Sequence, residues 1–169
     1  MKDSRLFVCG CTGGTYGPMH AGHEEVFYYA FLIVDNLLVR LTTDRYLDVF
    51  SKKNRRELIP PYDERFGKVN EYLNHYYPGR FEIVPLDSRE DCANCEFRDV
   101  TKAMIVGQDS LTRAYKLNLR RRESGLYEVH IVGVPAKISA NNERISSTDI
   151  RNGKITRRGR LVIPGDLTP

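Results

Sequence analysis

The chain has no apolar run long enough to cross a bilayer: its longest, residues 26–39, is interrupted by Asp35 and Asn36, whereas a membrane helix needs about 20 continuous apolar residues. That run reads instead as a buried helix followed by a strand. The opening residues, Met1 to Arg5, show no apolar leader core and no small-residue cleavage site, so a soluble, cytoplasmic protein is expected. Internal repeats and low-complexity tracts are also missing. Charge of one sign is in small excess, +4 net, with basic clusters scattered over 52–56, 120–122 and 157–160. A nucleic-acid binder usually gathers basic and aromatic residues on one face, so this spread argues against one and suits a small anionic ligand. Cysteine is sparse, four residues in two close pairs, Cys9-Gly10-Cys11 and Cys92-Ala93-Asn94-Cys95. The second pair has the spacing of half a zinc site. The first flanks the end of a central strand, a poor place for metal ligands, so no protein metal site is expected; ordinary cysteines are the favoured reading, with a reversible Cys92–Cys95 disulfide ahead of zinc. With 169 residues, 41% of them hydrophobic, a core can form without staples of either kind.

What is present is an alternation of short apolar runs and helical patterns. The runs Leu6-Phe7-Val8, Leu37-Leu38-Val39, Phe81-Glu82-Ile83-Val84, Met104-Ile105-Val106 and Val129-His130-Ile131-Val132 read as five strands. Between them, Val26, Phe27, Ala30, Phe31 and Val34 share one helical face, as do Phe66, Val69, Leu73 and Tyr76 after Pro61. A third helix over about 110–123 turns Leu111, Ala114, Tyr115 and Leu119 inward and stops before Gly125. The expected architecture is a single Rossmann-like α/β domain with a five-stranded parallel sheet over residues 1–155 and a tail over 156–169. Ligands of such sheets bind beyond the carboxyl ends of the strands, where the strand order reverses. Tyr28, Tyr29, Tyr72, Tyr76 and Tyr77 are expected to cover core, His75 and His130 to pack or face solvent, and Arg120 to Arg122 to form a solvated helix face.

The first strand runs into Gly13-Gly14-Thr15-Tyr16-Gly17-Pro18-Met19-His20-Ala21-Gly22-His23. Gly13 and Gly14 allow a ligand close to the backbone. The segment has neither the three spaced glycines of a dinucleotide fingerprint nor the Lys-Ser/Thr ending of a P-loop. His20 and His23, three apart at a helix start, bring two imidazoles to an end whose free amides and dipole favour an anion. A metal pair would need a third ligand nearby, and no Asp, Glu or Cys has the spacing.

Gly13-Gly14-Thr15-Tyr16 with His20-Ala21-Gly22-His23 resembles the first signature of the nucleotidyltransferase superfamily with an HxGH motif, and Ile145-Ser146-Ser147-Thr148-Asp149-Ile150-Arg151 resembles its second, ISSTxIR. Between them, Leu41-Thr42-Thr43-Asp44, Pro61-Tyr62, Arg65, Val106-Gly107, Asn118, Arg121 and Gly125-Leu126 are most similar to phosphopantetheine adenylyltransferases of the archaeal and eukaryotic type. The resemblance spans about residues 5–155 and implies the HIGH-type nucleotidyltransferase fold. It implies transfer of AMP from ATP to 4′-phosphopantetheine, giving dephospho-coenzyme A and pyrophosphate, with magnesium accompanying ATP. His20 and His23 would bind the triphosphate and stabilise the transition state, aided by Lys52 or Lys53. Gly13, Gly14, Thr15, Tyr16, Gly107, Ser146, Ser147, Thr148 and Arg151 would complete the ATP site, and Thr15, Thr42 and Arg65 would hold the acceptor. One departure is Gly17, where many relatives carry Asp. Gly17-Pro18 is similar to nicotinamide mononucleotide adenylyltransferases, which makes an enzyme of that kind, or another adenylyl- or cytidylyltransferase, the alternative. A nucleotide-binding regulator without turnover is the third possibility.

Overall fold

The computed structural model describes residues 5–51, 55–88 and 101–163. Five strands, β1 (Phe7–Gly14), β2 (Val34–Thr42), β3 (Phe81–Leu86), β4 (Thr101–Gly107) and β5 (His130–Val134), form one sheet in the order β3-β2-β1-β4-β5, and every neighbouring pair is parallel. The chain walks outward from β1 to β3 and then crosses back to β4 on the other side of β1. The carboxyl end of β1 is therefore the switch point at which a parallel sheet opens a crevice.

Helices α1 (Ala21–Ile33) and α3 (Tyr62–Tyr76) cover one face, burying Phe27, Ala30, Phe31, Val69 and Leu73 against Val34, Leu37, Val39, Leu41 and Ile105. The run 26–39 is a helix passing straight into a strand, as its sequence predicts: Val34 is both the C-cap of α1 and the first residue of β2. No glycine and no basic residue closes this helix from within. Guanidinium groups from elsewhere do it, Arg5 and Arg80 both donating to the Phe31 carbonyl and Arg80 also to that of Val34. A short α2 (Asp44–Phe50) follows β2, with Thr43 accepting from the Tyr46 amide as its cap. Helix α4 (Leu111–Glu123) packs on the opposite face over Cys11, Met104 and Val129.

Several inward residues differ from expectation. On α4 the buried positions are Ala114, Asn118 and Arg121, whereas Tyr115 and Leu119 are exposed. Asn118 outcompetes the apolar pair because its amide makes two hydrogen bonds to the backbone of Val129, standing in for a strand partner where the chain enters β5, and Arg121 Nε donates to the Tyr127 carbonyl. Arg121 thus leaves the solvated face assigned to its cluster. Tyr76, Tyr28 and Tyr29 also face solvent, while Tyr72 and Tyr77 pack on the core. A five-residue helix, α5 (Ser147–Arg151), precedes a hairpin in which Ile155 pairs with Leu161. Ile155 is buried with Ala21 and Ile145, and beyond it the carbonyls of Arg157 and Gly159 accept from the amides of Ala21 and Ala140.

Candidate active site

At the switch point the chain lines a pocket of about 730 Å³. Gly13, Gly14, Thr15, Tyr16, His20 and His23 come from β1 and the start of α1, Thr42 from the end of β2, Gly107 from the end of β4, and Ser146, Ser147, Thr148 and Arg151 from α5 and its cap. Twelve of the residues singled out from sequence are thus brought together from segments more than a hundred positions apart. Cys9 and Cys11 lie in β1 itself, Cys11 packed against Met104 and Ala114. Cys92 and Cys95, and the two lysines Lys52 and Lys53, lie outside the described residues.

The histidines hold each other in place. His20 is the N-cap of α1: its Nδ1 accepts from the Gly22 amide at 3.1 Å, while the Nδ1 of His23 accepts from the His20 amide at 3.3 Å. The rings stack with centroids 3.8 Å apart. A Cβ on Gly22 would lie 3.0 Å from the His20 ring, so glycine between the two histidines is what lets the imidazole fold back over the helix start. Because both Nδ1 atoms accept, Nε2 is the nitrogen that carries the N–H donor on each ring. Tyr16 is the plate beneath: buried, with positive φ of 51°, it stacks on Phe27 and leans on His23. Its phenol is pushed up by burial, which suits packing more than ligand chemistry, although the ring also borders the pocket.

Burial, with a further push from Arg144, brings the His20 pKa down to about 4, so His20 is neutral at physiological pH. Stability follows from this. Between about pH 6.5 and 4 the unfolded chain takes up a proton at this residue that the folded chain refuses, so stability falls as pH drops through that window, by about 3 kcal/mol in all, and no further below it. Urea melts across this range should show the slope, and His20→Asn, which keeps a capping oxygen and removes the titration, should flatten it. An unchanged slope in the variant assigns the titration to another group.

The second motif is bonded to the first. Ser147 Oγ donates to the Pro18 carbonyl and Arg151 Nη1 to that of Gly17 at 2.8 Å, while Ser146 caps α5 by accepting from the Asp149 amide. The Gly17–Pro18 peptide is cis. A Cβ on Gly17 would lie 2.9 Å from Ile59 and 3.0 Å from Arg65, so the departure from Asp at this position has a local packing cause.

Arg65 does not line the pocket. It is 1% exposed beneath the glycine loop, donating from Nε to the Pro60 carbonyl, from Nη1 to those of Thr15 and Thr42, and from Nη2 to Asp44. Burial alone would raise the Asp44 pKa, but the Tyr62 amide, Arg65 and Arg56 outweigh it and hold the carboxyl below its ordinary value. Arg65 therefore ties Thr15 to Thr42, whose hydroxyls are 3.2 Å apart, as a strut between the two strand ends. The reason is geometric: the first turn of α3 points it inward, where three carbonyls and a carboxylate match its fork.

One wall of the pocket is basic and lies outside both motifs. Arg113, Lys116 and Arg120, at spacings of three and four along α4, line it with Lys137 and Arg144. The helical spacing was the available signal. Counting Arg40 and Arg151, seven Lys or Arg side chains border the pocket among the described residues against one carboxylate, Asp109. Such a lining favours a multiply charged anion.

A doubly wound parallel sheet with a basic, glycine-lined pocket at its switch point defines a nucleotide-binding α/β domain. The family model described as cytidylyltransferase-like matches residues 11–153, and the chain belongs to that family. It is 30% identical over 152 residues to a bifunctional phosphopantetheine adenylyltransferase/NTP phosphatase of Thermoplasma volcanium, covering 90% of this chain but 44% of that one. It is 29% identical to a phosphopantetheine adenylyltransferase of Pyrococcus abyssi, over 96% of this chain and 98% of the relative. Among solved structures, a protein of unknown function from Archaeoglobus fulgidus superposes with a TM-score of 0.59 at 23% identity, over 74% of this chain and 96% of that one, a likeness of fold. No helix among the described residues is long and apolar enough to cross a membrane.

Proposed function

We propose that the protein transfers AMP from ATP to 4′-phosphopantetheine. The observation that carries this reading is the double clamp: two Nε2–H donors fixed at the start of α1, facing a second motif that is itself hydrogen-bonded to the glycine loop. In the proposed reaction a phosphate oxygen of the acceptor attacks the α-phosphorus of ATP, the new P–O bond forms as the bond to the β-phosphate breaks, and pyrophosphate leaves. Aligning two phosphates and neutralising the charge that develops supplies most of the acceleration in such a transfer. His20 and His23 donate to the phosphoryl oxygens, Ser146, Ser147, Thr148 and Arg151 hold the β and γ phosphates, and Thr15 and Thr42 place the acceptor phosphate, with Lys52 or Lys53 adding charge. The names borne by the Thermoplasma and Pyrococcus relatives support this acceptor. Magnesium belongs to the proposal as the ion that ATP carries in: Asp109 is the one carboxylate among the described lining residues and is paired with Arg144, which does not fit a metal held by the protein.

The test is to incubate the protein with magnesium, ATP or CTP, and a panel of acceptors that includes 4′-phosphopantetheine and nicotinamide mononucleotide. Dephospho-coenzyme A and pyrophosphate in equal amounts are expected. Product from a different acceptor instead would overturn the substrate, and ATP binding without pyrophosphate release would make the protein a nucleotide-binding regulator.

A further inference from the structure

One ion pair in the pocket has no part in the reaction just described. Arg144, two positions before the capping Ser146, donates from Nη1 to Asp109 Oδ2 at 2.9 Å. Asp109 belongs to the short 3-10 turn that follows β4, so the pair joins two separate segments of the pocket lining. The backbone of Arg144 is fixed by its antiparallel bridge with Ile138 and by the neighbouring Ile145 amide, which donates to the Lys137 carbonyl at 2.8 Å. The side chain is less constrained, for 53% of it is exposed, and 44% of that of Asp109. An ion pair so open to water is worth at most about fivefold in an equilibrium constant. A phosphate chain offers Arg144 more: several charged oxygens and a fork-shaped fit. Both charges lie near the helix start that holds the histidines, since after burial Arg144 is the main influence lowering His20 and Asp109 the one opposing it.

We propose that Arg144 is a further phosphate-binding residue of this pocket, exchanged between Asp109 and the β and γ phosphates of the nucleotide, and that Asp109 acts as the competitor that moderates nucleotide affinity. The proposal rests on the reading of the pocket as a triphosphate site. It differs from a structural role in sign. Were the pair only a brace between two segments, removing either partner would weaken binding. If Arg144 is exchanged, removing Asp109 strengthens it.

Titration calorimetry with the full chain separates the two, using magnesium with ATP and, as a ligand lacking the β and γ phosphates, AMP. For Arg144→Gln, ATP should bind about tenfold more weakly, the worth of a charge-assisted contact, with AMP affinity unchanged. Arg144→Lys should restore part of the loss, because it keeps the charge without the fork. Asp109→Asn should bind ATP up to about fivefold more tightly. Wild-type ATP affinity in Arg144→Gln, an equal loss for AMP, or weaker ATP binding in Asp109→Asn would each overturn the proposal while leaving the triphosphate reading in place. Failure of the unaltered protein to bind ATP at all would overturn both.

Discussion

His20→Ala is expected to lower kcat for adenylyl transfer by about 10²- to 10³-fold, the usual effect of removing one preorganised donor from a developing oxyanion. The fold should survive. What the variant loses structurally is the cap of α1, worth about 1 kcal/mol, in a helix that also buries Phe27, Ala30 and Phe31. His20→Asn separates the two roles, because its side-chain oxygen can still accept from the Gly22 amide while the Nε2–H is gone. Stability near that of the wild type with turnover still depressed is the expected pair of results, read by urea melts and by pyrophosphate release. Turnover within a few-fold of wild type in His20→Ala would remove this residue from the chemistry. His23 is coupled to the same test through the 3.8 Å ring stack, so loss of His20 also frees the second imidazole, and the two single variants should not be additive.

Arg65→Leu should have the largest effect on stability. The substitution strands the carbonyls of Thr15, Thr42 and Pro60 and removes a partner from Asp44. Since 39% of the Asp44 side chain is exposed and Arg56 remains beside it, the charge itself is partly relieved by water, and the buried carbonyls dominate the cost. A loss of about 3–5 kcal/mol follows, which lowers Tm by about 10 °C in a domain of this size. Arg65→Lys keeps the charge but cannot reach four acceptors at once and should fall between. If Arg65 touched the acceptor directly, Arg65→Leu would raise the acceptor KM with Tm unchanged. A calorimetric melt therefore distinguishes the strut from the ligand contact.

Much of this molecule was legible in its sequence because its signals are periodic or local. Leu37 to Val39 and Met104 to Val106 are short aliphatic runs with no other economical reading, and the histidine pair and the Ser-Ser-Thr segment announce helix starts within a few residues of themselves. What could not be read were residues whose role is fixed by a distant partner. Arg65 matches a pattern for ligand binding, yet its direction depends on carbonyls contributed by Thr15 and Thr42, 50 and 23 positions away. Asn118 and Arg121 interrupt an apolar face because they serve backbone at Val129 and Tyr127, which a helical wheel does not contain. The basic stripe of α4 was visible as spacing, but its direction depended on which face of the helix the sheet would claim. Gly17 in the sequence resembles a mark of substrate, whereas its neighbours Ile59 and Arg65 give it a steric cause.

The hairpin around residues 155–161 bears on when the site comes into being during synthesis. The Ala21 amide, at the head of the helix that carries both histidines, donates to the Arg157 carbonyl, and Ile155 packs with Ala21 and Ile145. Gly159 lies so close under Ile145 that a Cβ there would be 2.7 Å from it. A chain emerging from the ribosome can pair β1 with β2 and cover them with α1 and α3 early, since all four segments end by Tyr76. The packing beneath the two motifs is finished only when the last part of the described chain folds back over the helix that carries the histidines. A nascent chain that stops short of residue 155 holds the glycine loop and both imidazoles, but not the floor on which the two motifs meet.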